Sequence, residues 1–353
     1  MRLDVVRGSA HRCGVVHLLA AAVLFAGCTS PRPAGPDASA QVPAVAGAFR
    51  SQLVEEVTGT GALVHLEALQ RIADAHDGNR ATPGPGYDAS VDYVAGVLRD
   101  AGFDVSTPSF VLHSDDGERA TVRNVVAQTR TGDPQQVVMA GAHLDSVPEG
   151  PGINDNASGV AALLEAAIRM GGSPPVPNTV RLAFWAAEER NLDGSVAYVD
   201  SLPRSDHGAI ALYLNLDMLA SPNAGYFVQG GHGDDESETG PEGSEVVGRM
   251  LVEELAATGV TAELARFEND GSDYEAFIEE GIPTGGVYSG DSGVKTSQQA
   301  ERWGGRAGAV FDPCYHTACD RAAGIHPGAL DNFSDAIAGT VARFAESTET
   351  IAR

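Results

Sequence analysis

The stretch from Val137 to Glu165, VVMAGAHLDSVPEGPGINDNASGVAALLE, constrains the fold more than any other part of the chain. Apolar and β-branched residues, Val137 to Met139, lead to a His and an Asp two positions apart. Side chains at i and i+2 of a strand share a face, so His143 and Asp145 would project together as the strand ends. A loop rich in Gly and Pro, Pro148 to Gly152, then carries Asp155 to an apolar-periodic helix over Ala157 to Met170. In an open α/β sheet, ligands sit outside the carboxyl ends of the strands. A His and two aspartates converging there form a nest suited to a divalent metal. Each residue alone has a structural explanation; the cluster with its loop exceeds what a solvated turn requires.

The remaining periodicities place this unit in a larger pattern. Leu63, Leu66, Leu69 and Ile72 share a helical face, and Val91, Val94, Val97 and Leu98 mark a second helix before Gly102. Extended segments are expected at 103–112, 121–128, from Val137, and at 180–185, 209–216 and 285–288. Helices are expected at about 194–202, 246–257, 272–280 and 331–346. This alternation predicts a three-layer α/β/α sandwich with a mostly parallel, mixed central sheet. The run GDDESETGPEGSE, 233–245, reads as a solvated acidic loop.

A formal charge of −25 argues against nucleic acid or an anionic membrane face as a partner. Residues 1–27 read as a targeting segment. Arg2, Arg7 and Arg12 precede a short apolar run, Gly14 to Ala26. That run ends Phe25-Ala26-Gly27-Cys28, similar to a bacterial lipoprotein processing box with Phe25 where Leu is more usual. Cys28 would become the lipidated N-terminus, anchoring an exported protein to the cell membrane; simple signal cleavage and free secretion is the alternative. Residues 28–48, rich in Pro, Ala and Ser, read as a flexible tether, and 49–353 as one domain. Outside the cytoplasm the remaining pair, Cys314 and Cys319, is expected to form a disulfide.

Three further segments carry acids or a His. Phe184-Trp185-Ala186-Ala187-Glu188-Glu189 runs an apolar strand into paired carboxylates, one able to bind metal while the other moves protons. An acidic helix start is the bland alternative. Asn215-Leu216-Asp217-Met218 is another strand end bearing an acid, and Cys314-Tyr315-His316-Thr317-Ala318-Cys319 would clamp Tyr315 and His316 in a tight loop.

Together GAHLDSV, GINDNASG, FWAAEE, LNLDM, SPNAGYFV, KTSQQAERWGG and CYHTACD resemble, in order, the secreted two-zinc aminopeptidases of actinobacteria. These are part of a wider family of co-catalytic zinc exopeptidases, and the match runs from about His65 to the last helix. The resemblance implies that His143 and Asp217 hold one zinc, that Glu189 and His316 hold the other, and that Asp155 bridges them. It implies that Asp145 orients the His143 ring, that Glu188 is the general base and acid, and that Tyr315 donates to the oxyanion. It also implies a cis peptide after Asp155. The implied substrates are peptides with a free N-terminus, the first residue large and apolar, cleaved by a monomer. A calcium site seen in some relatives would match Glu56, Asp331 and Asp335, with Glu56 in place of Asp. The chain departs from its relatives at Gly271, where they carry Arg, and at Tyr274, where they carry His. Alternatives on the same scaffold are a one-zinc glutaminyl-cyclase-like acyltransferase, a carboxypeptidase or deacylase, and a non-catalytic surface-binding lipoprotein.

Overall fold

The computed structural model describes residues 43–113, 119–269 and 271–347. The chain divides into Met1–Ala40 and Gln41–Arg353, and every described residue belongs to the second unit. The targeting segment 1–27, Cys28 and the tether up to residue 42 lie outside the described residues.

Helices α1 (Pro43–Glu56), α2 (Gly59–Ala75) and α3 (Pro85–Asp100) come first. Strands β1 (Asp104–Ser106), β2 (Ser109–His113), β3 (Arg119–Arg123), β4 (Val125–Gln128) and β5 (Asp133–His143) follow. A tight turn at Ile153–Ala157 leads into α4 (Ser158–Met170). Then come β6 (Asn178–Trp185), a 3₁₀ turn at Glu188–Arg190, α5 (Asp193–Ser201), α6 (Arg204–His207), β7 (Ile210–Leu216) and β8 (Phe227–Gln229). The last third holds α7 (Glu236–Thr239), α8 (Ser244–Ala257), β9 (Glu263–Ala265), α9 (Tyr274–Glu279), β10 (Thr284–Tyr288), α10 (Ser297–Trp303) and α11 (Pro327–Glu346).

Eight strands form one mixed sheet in the order β1-β4-β6-β5-β7-β10-β8-β9. The central run β6-β5-β7-β10 is parallel throughout, so the carboxyl ends of these strands share one edge. Side-chain alternation splits the core in two. On β5, Val138, Ala140 and Ala142 pack with Leu163 of α4 and Ile337 of α11, whereas Val137 and Met139 pack on the other face with Tyr198 of α5 and Phe277 of α9. Both faces of the central strands are therefore covered, which is why they read as continuous apolar runs. The expected α/β/α sandwich is the observed one.

Several boundaries differ. The expected single strand at 103–112 breaks at Pro108, which has no N–H to continue a ladder; β1 stays in the main sheet, while β2 joins β3 in a separate two-stranded ladder. Asn124 likewise divides the expected 121–128 strand. The short strands β8 and β9, with β9 at the sheet edge, and the helix α10 were not expected. Three-residue strands carry no measurable periodicity, and α10 announces itself only by its capping box, Thr296 with Gln299. The acidic 233–245 loop contains the one-turn helix α7, capped by Asp235. Helix α1 starts at Pro43, inside the stretch read as tether; proline suits a first helical position, and alanines follow it. Among the described residues, no helix is long and apolar enough to cross a membrane.

Candidate active site

Strand register brings the acids and histidines together. β5 ends at His143 opposite Trp185 of β6, and Leu216 of β7 pairs with Val287 of β10. Glu188 and Glu189 follow β6 through Ala187 at φ +56°, and Asp217 follows β7 directly. All five residues expected to hold metal, together with Glu188 and Tyr315, line one cavity of about 400 Å³ at this edge.

Within the cluster the donors sort into two sets around the two oxygens of Asp155. His143 Nε2 lies 3.1 Å from Asp155 Oδ1 and 3.5 Å from Asp217 Oδ1. His316 Nε2 lies 3.0 Å from Asp155 Oδ2 and 3.1 Å from Glu189 Oε2. Buried oxygens of Asp217 and Glu189 have no hydrogen-bond partner, a costly state for a carboxylate unless a cation offsets it. Two imidazoles and three carboxylates are an oxygen and nitrogen donor set that suits zinc. The residues fit a pair of metal ions sharing Asp155. His143 comes within reach of two common points, one with Asp155 and Glu189 and one with Glu188 and Asp217; Glu188 Oε2 stands 3.8 Å from His143 Nε2, farther than either Asp.

Electrostatics follow from crowding. Burial raises the Glu188 carboxyl well above the usual range; His143 opposes this, while Asp217, Asp273 and Glu189 reinforce it. Burial likewise pushes Glu189 up to about 7. Burial disfavours the charged His143 ring, but Glu188, Asp217, Asp145 and Asp155 outweigh it and raise its pKa well above the ordinary value. Hydrogen bonds to Asp155 and Glu189 raise His316 to about 10. The Tyr315 ring stacks on His316 with centroids 3.8 Å apart, and burial together with the surrounding carboxylates raises its hydroxyl.

Asp145 stands beside the His143 ring, its Oδ1 3.7 Å from Nδ1, and the same oxygen accepts the Glu188 backbone N–H at 3.2 Å. It thereby fixes the turn that presents the paired acids. The cis Asp155–Asn156 peptide and the Cys314–Cys319 disulfide are both present. Of the residues matched to a calcium site, Asp331 accepts the Gly59 N–H at 2.6 Å.

Supporting residues escaped the sequence reading. Asp320 accepts the backbone N–H groups of Asn154 and Asp155 at 2.7 and 3.0 Å, and Asp312 accepts from the Asn154 side chain at 2.6 Å. These two acids flank the disulfide loop, so they tie the His316 segment to the Asp155 turn. The buried Arg80 donates to the carbonyls of Leu144, Pro151 and Gly152, bracing the loop between His143 and Asp155. A chain of hydrogen bonds runs from Trp185 through Tyr213, Asn215 and Ser272 to Asp217 Oδ2. It requires glycine at 141, where a Cβ would stand 2.4 Å from the Tyr213 hydroxyl. Asn215, two positions before Asp217, was a sequence hint of this chain, and Asp320 closes the CYHTACD motif; Asp312 and Arg80 come from distant segments and left none.

The comparisons agree with this architecture. Residues 124–341 match the model of peptidase family M28. The "Leupeptin-inactivating enzyme 1" of Streptomyces exfoliatus is 40% identical over 96% of this chain and 70% of its own length. The "Probable lipoprotein aminopeptidase LpqL" of Mycobacterium tuberculosis is 34% identical, covering 84% of this chain and 87% of that protein. Among solved structures, a zinc aminopeptidase from Bacillus subtilis aligns with a TM-score of 0.64 at 16% identity, over 84% of this chain and 99% of its own. The Porphyromonas gingivalis glutaminyl cyclase aligns with a TM-score of 0.63 at 20% identity, over 82% and 98%. At such identities the two structures speak for the fold alone. With the family model covering more than half of its length, the chain belongs to peptidase family M28.

Proposed function

We propose that this protein is a zinc-dependent aminopeptidase, an exported hydrolase that removes the first residue from peptides with a free N-terminus. The observation that carries the reading is the division of donors between the two oxygens of Asp155. His143, Asp155 and Asp217 would hold one zinc, and Asp155, Glu189 and His316 the other. When bound, the pair supplies Lewis acidity that polarises a carbonyl and makes water more acidic. Glu188, beside both donor sets, takes a proton from the attacking water and returns it to the departing amine. The Tyr315 hydroxyl donates to the carbonyl oxygen as that atom gains charge. The C–N bond breaks, water adds to the carbonyl carbon, and an amino acid and a shortened peptide leave. The carboxylates around the centre provide counter-charge for the free α-ammonium, and Leu192, Met218, Tyr274 and Tyr288 on the cavity wall suit a large first side chain.

The lipoprotein-type segment ending at Cys28, and the lipoprotein named among the relatives, support export with a lipid anchor. The protein acts as a monomer on peptides, without nucleic acid. A one-zinc cyclase needs fewer donors than the five gathered here. The test is release of amino acids by the zinc-loaded protein from free, N-acetylated and C-amidated forms of one peptide. Free and C-amidated peptides should be cleaved, the N-acetylated one spared, and chelation should abolish activity. Cleavage of the acetylated peptide, or activity that survives chelation with no zinc left on the protein, would refute the reading.

A further inference from the structure

Away from Asp155, the cavity wall is made by Met218, Gln229, Glu268, Tyr274 and Tyr288. Glu268 and Tyr288 also line a neighbouring cavity of about 380 Å³, so these two residues form the shared boundary. Glu268 is fixed there through its backbone. The Tyr274 hydroxyl accepts the Glu268 N–H at 3.0 Å and donates to the Glu268 carbonyl at 2.8 Å. Beneath it Phe267 is buried and its N–H bonds the Glu238 carbonyl at 2.9 Å, while Gln229 donates to the Arg266 carbonyl at 3.1 Å. This latch needs glycine at 271, because a Cβ there would stand 2.1 Å from the Tyr274 oxygen. Gly271 and Tyr274 are thus one coupled feature, and it fixes the backbone from which the exposed Glu268 side chain reaches the cavity wall.

No cation neutralises that carboxylate among the described residues. Arg266, two positions away, pairs with Glu238 at 2.9 Å. Apart from the two histidines of the centre, none of the described residues lining the active cavity is basic, and Asp291 adds a further acid. Long cationic side chains lay their alkyl stems on apolar surface and keep the charged head in a polar setting. Met218 and the Tyr288 ring offer the first, and Glu268 the second. We propose that Glu268 is a specificity-determining residue selecting a long cationic first side chain, Lys or Arg, in place of the large apolar one that the family resemblance implies. The proposal rests on the aminopeptidase reading above. The strongly negative chain favours encounter with the same peptides.

Norleucine copies the lysine stem without its ammonium, so paired substrates Lys-X and norleucine-X isolate the charge. Wild type should prefer Lys over norleucine by about 3–10-fold in kcat/KM at low salt, the scale of an ion pair in a solvated cleft. The ratio should shrink as ionic strength rises. Glu268→Gln should bring it to near one, and Glu268→Lys should invert it. The proposal falls if wild type shows no preference, if the ratio ignores salt, if Glu268→Gln leaves it intact, or if Lys is favoured only as the second residue. Turnover of norleucine-X at the lysine rate would sink this inference and leave the aminopeptidase reading standing. Failure to cleave any free N-terminus would remove both.

Discussion

Glu188 and Glu189 are neighbours in sequence with different surroundings. Glu189 reaches His316 at 3.1 Å, whereas Glu188 approaches no ring nitrogen closer than 3.8 Å. Glu189→Ala should therefore lower both zinc content and turnover. Glu188→Gln keeps the shape and should leave two zinc ions bound while kcat falls by about 10⁴-fold, the upper end for a group serving as both base and acid. Metal analysis and steady-state kinetics on the two variants decide this, and a zinc-depleted Glu188→Gln protein would reverse the roles. The types of these residues were legible in FWAAEE, and their division of labour only through the family resemblance. Asp145 illustrates the limit at this scale. Its two-residue spacing from His143 predicts a common face, which it has, yet the 3.7 Å separation and the bond to Glu188 depend on where β6 ends.

At the scale of elements, the site is a junction of strand ends and one clamped loop. The disulfide loop holds Tyr315 and His316, while Asp312 and Asp320 on either side of it grip Asn154 and Asp155. A loop closed over so few residues gains little global stability from its bridge in the chain-entropy model, so the bond matters chiefly for placement. Replacing Cys314 and Cys319 together by Ser should change the melting temperature by only a few degrees but weaken zinc retention and turnover at least about tenfold, the scale seen when groups supporting metal ligands are removed. Unchanged zinc affinity and turnover would refute it. Asp320→Asn replaces one of two acceptors by an amide N–H facing a backbone N–H. Loss of about 1–3 kcal/mol in stability is expected from the unsatisfied pair, with weaker binding of one zinc equivalent in equilibrium dialysis. Two tightly bound zinc ions in that variant would show that the clamp does not position Asp155.

The whole molecule adds effects that no single site displays. Burial pushes the His65 pKa on α2 down to about 4, and its Nδ1 lies 2.7 Å from the Tyr93 hydroxyl. Unfolded, the ring titrates near ~6.5, so between these values the unfolded chain binds a proton that the folded chain does not. This contribution is complete above ~6.5 and is lost as pH falls toward 4. Denaturation curves should show wild type losing about 1–3 kcal/mol more than His65→Gln across that window. Cys28→Ala should move the exported protein from the membrane fraction to the medium; soluble protein with Cys28 intact would end the lipoprotein reading. The fold class was legible because apolar runs separated by helical periods leave few ways to bury both faces of a sheet, and His143, Glu189 and Asp217 sit where such runs end. Strands of three residues, the split at Pro108 and the pairing of α10 with the β9 edge through Glu263 were not, since each depends on neighbours far along the chain. By itself, the sequence determined the layered fold, the donor types and their order, because periodicity and residue chemistry are local properties. Only the tertiary structure decided which oxygen of Asp155 each histidine faces, that Asp320 holds the Asp155 turn, and that Gly271 and Tyr274 together place Glu268. Those are distances between segments up to 166 residues apart, and packing alone sets them.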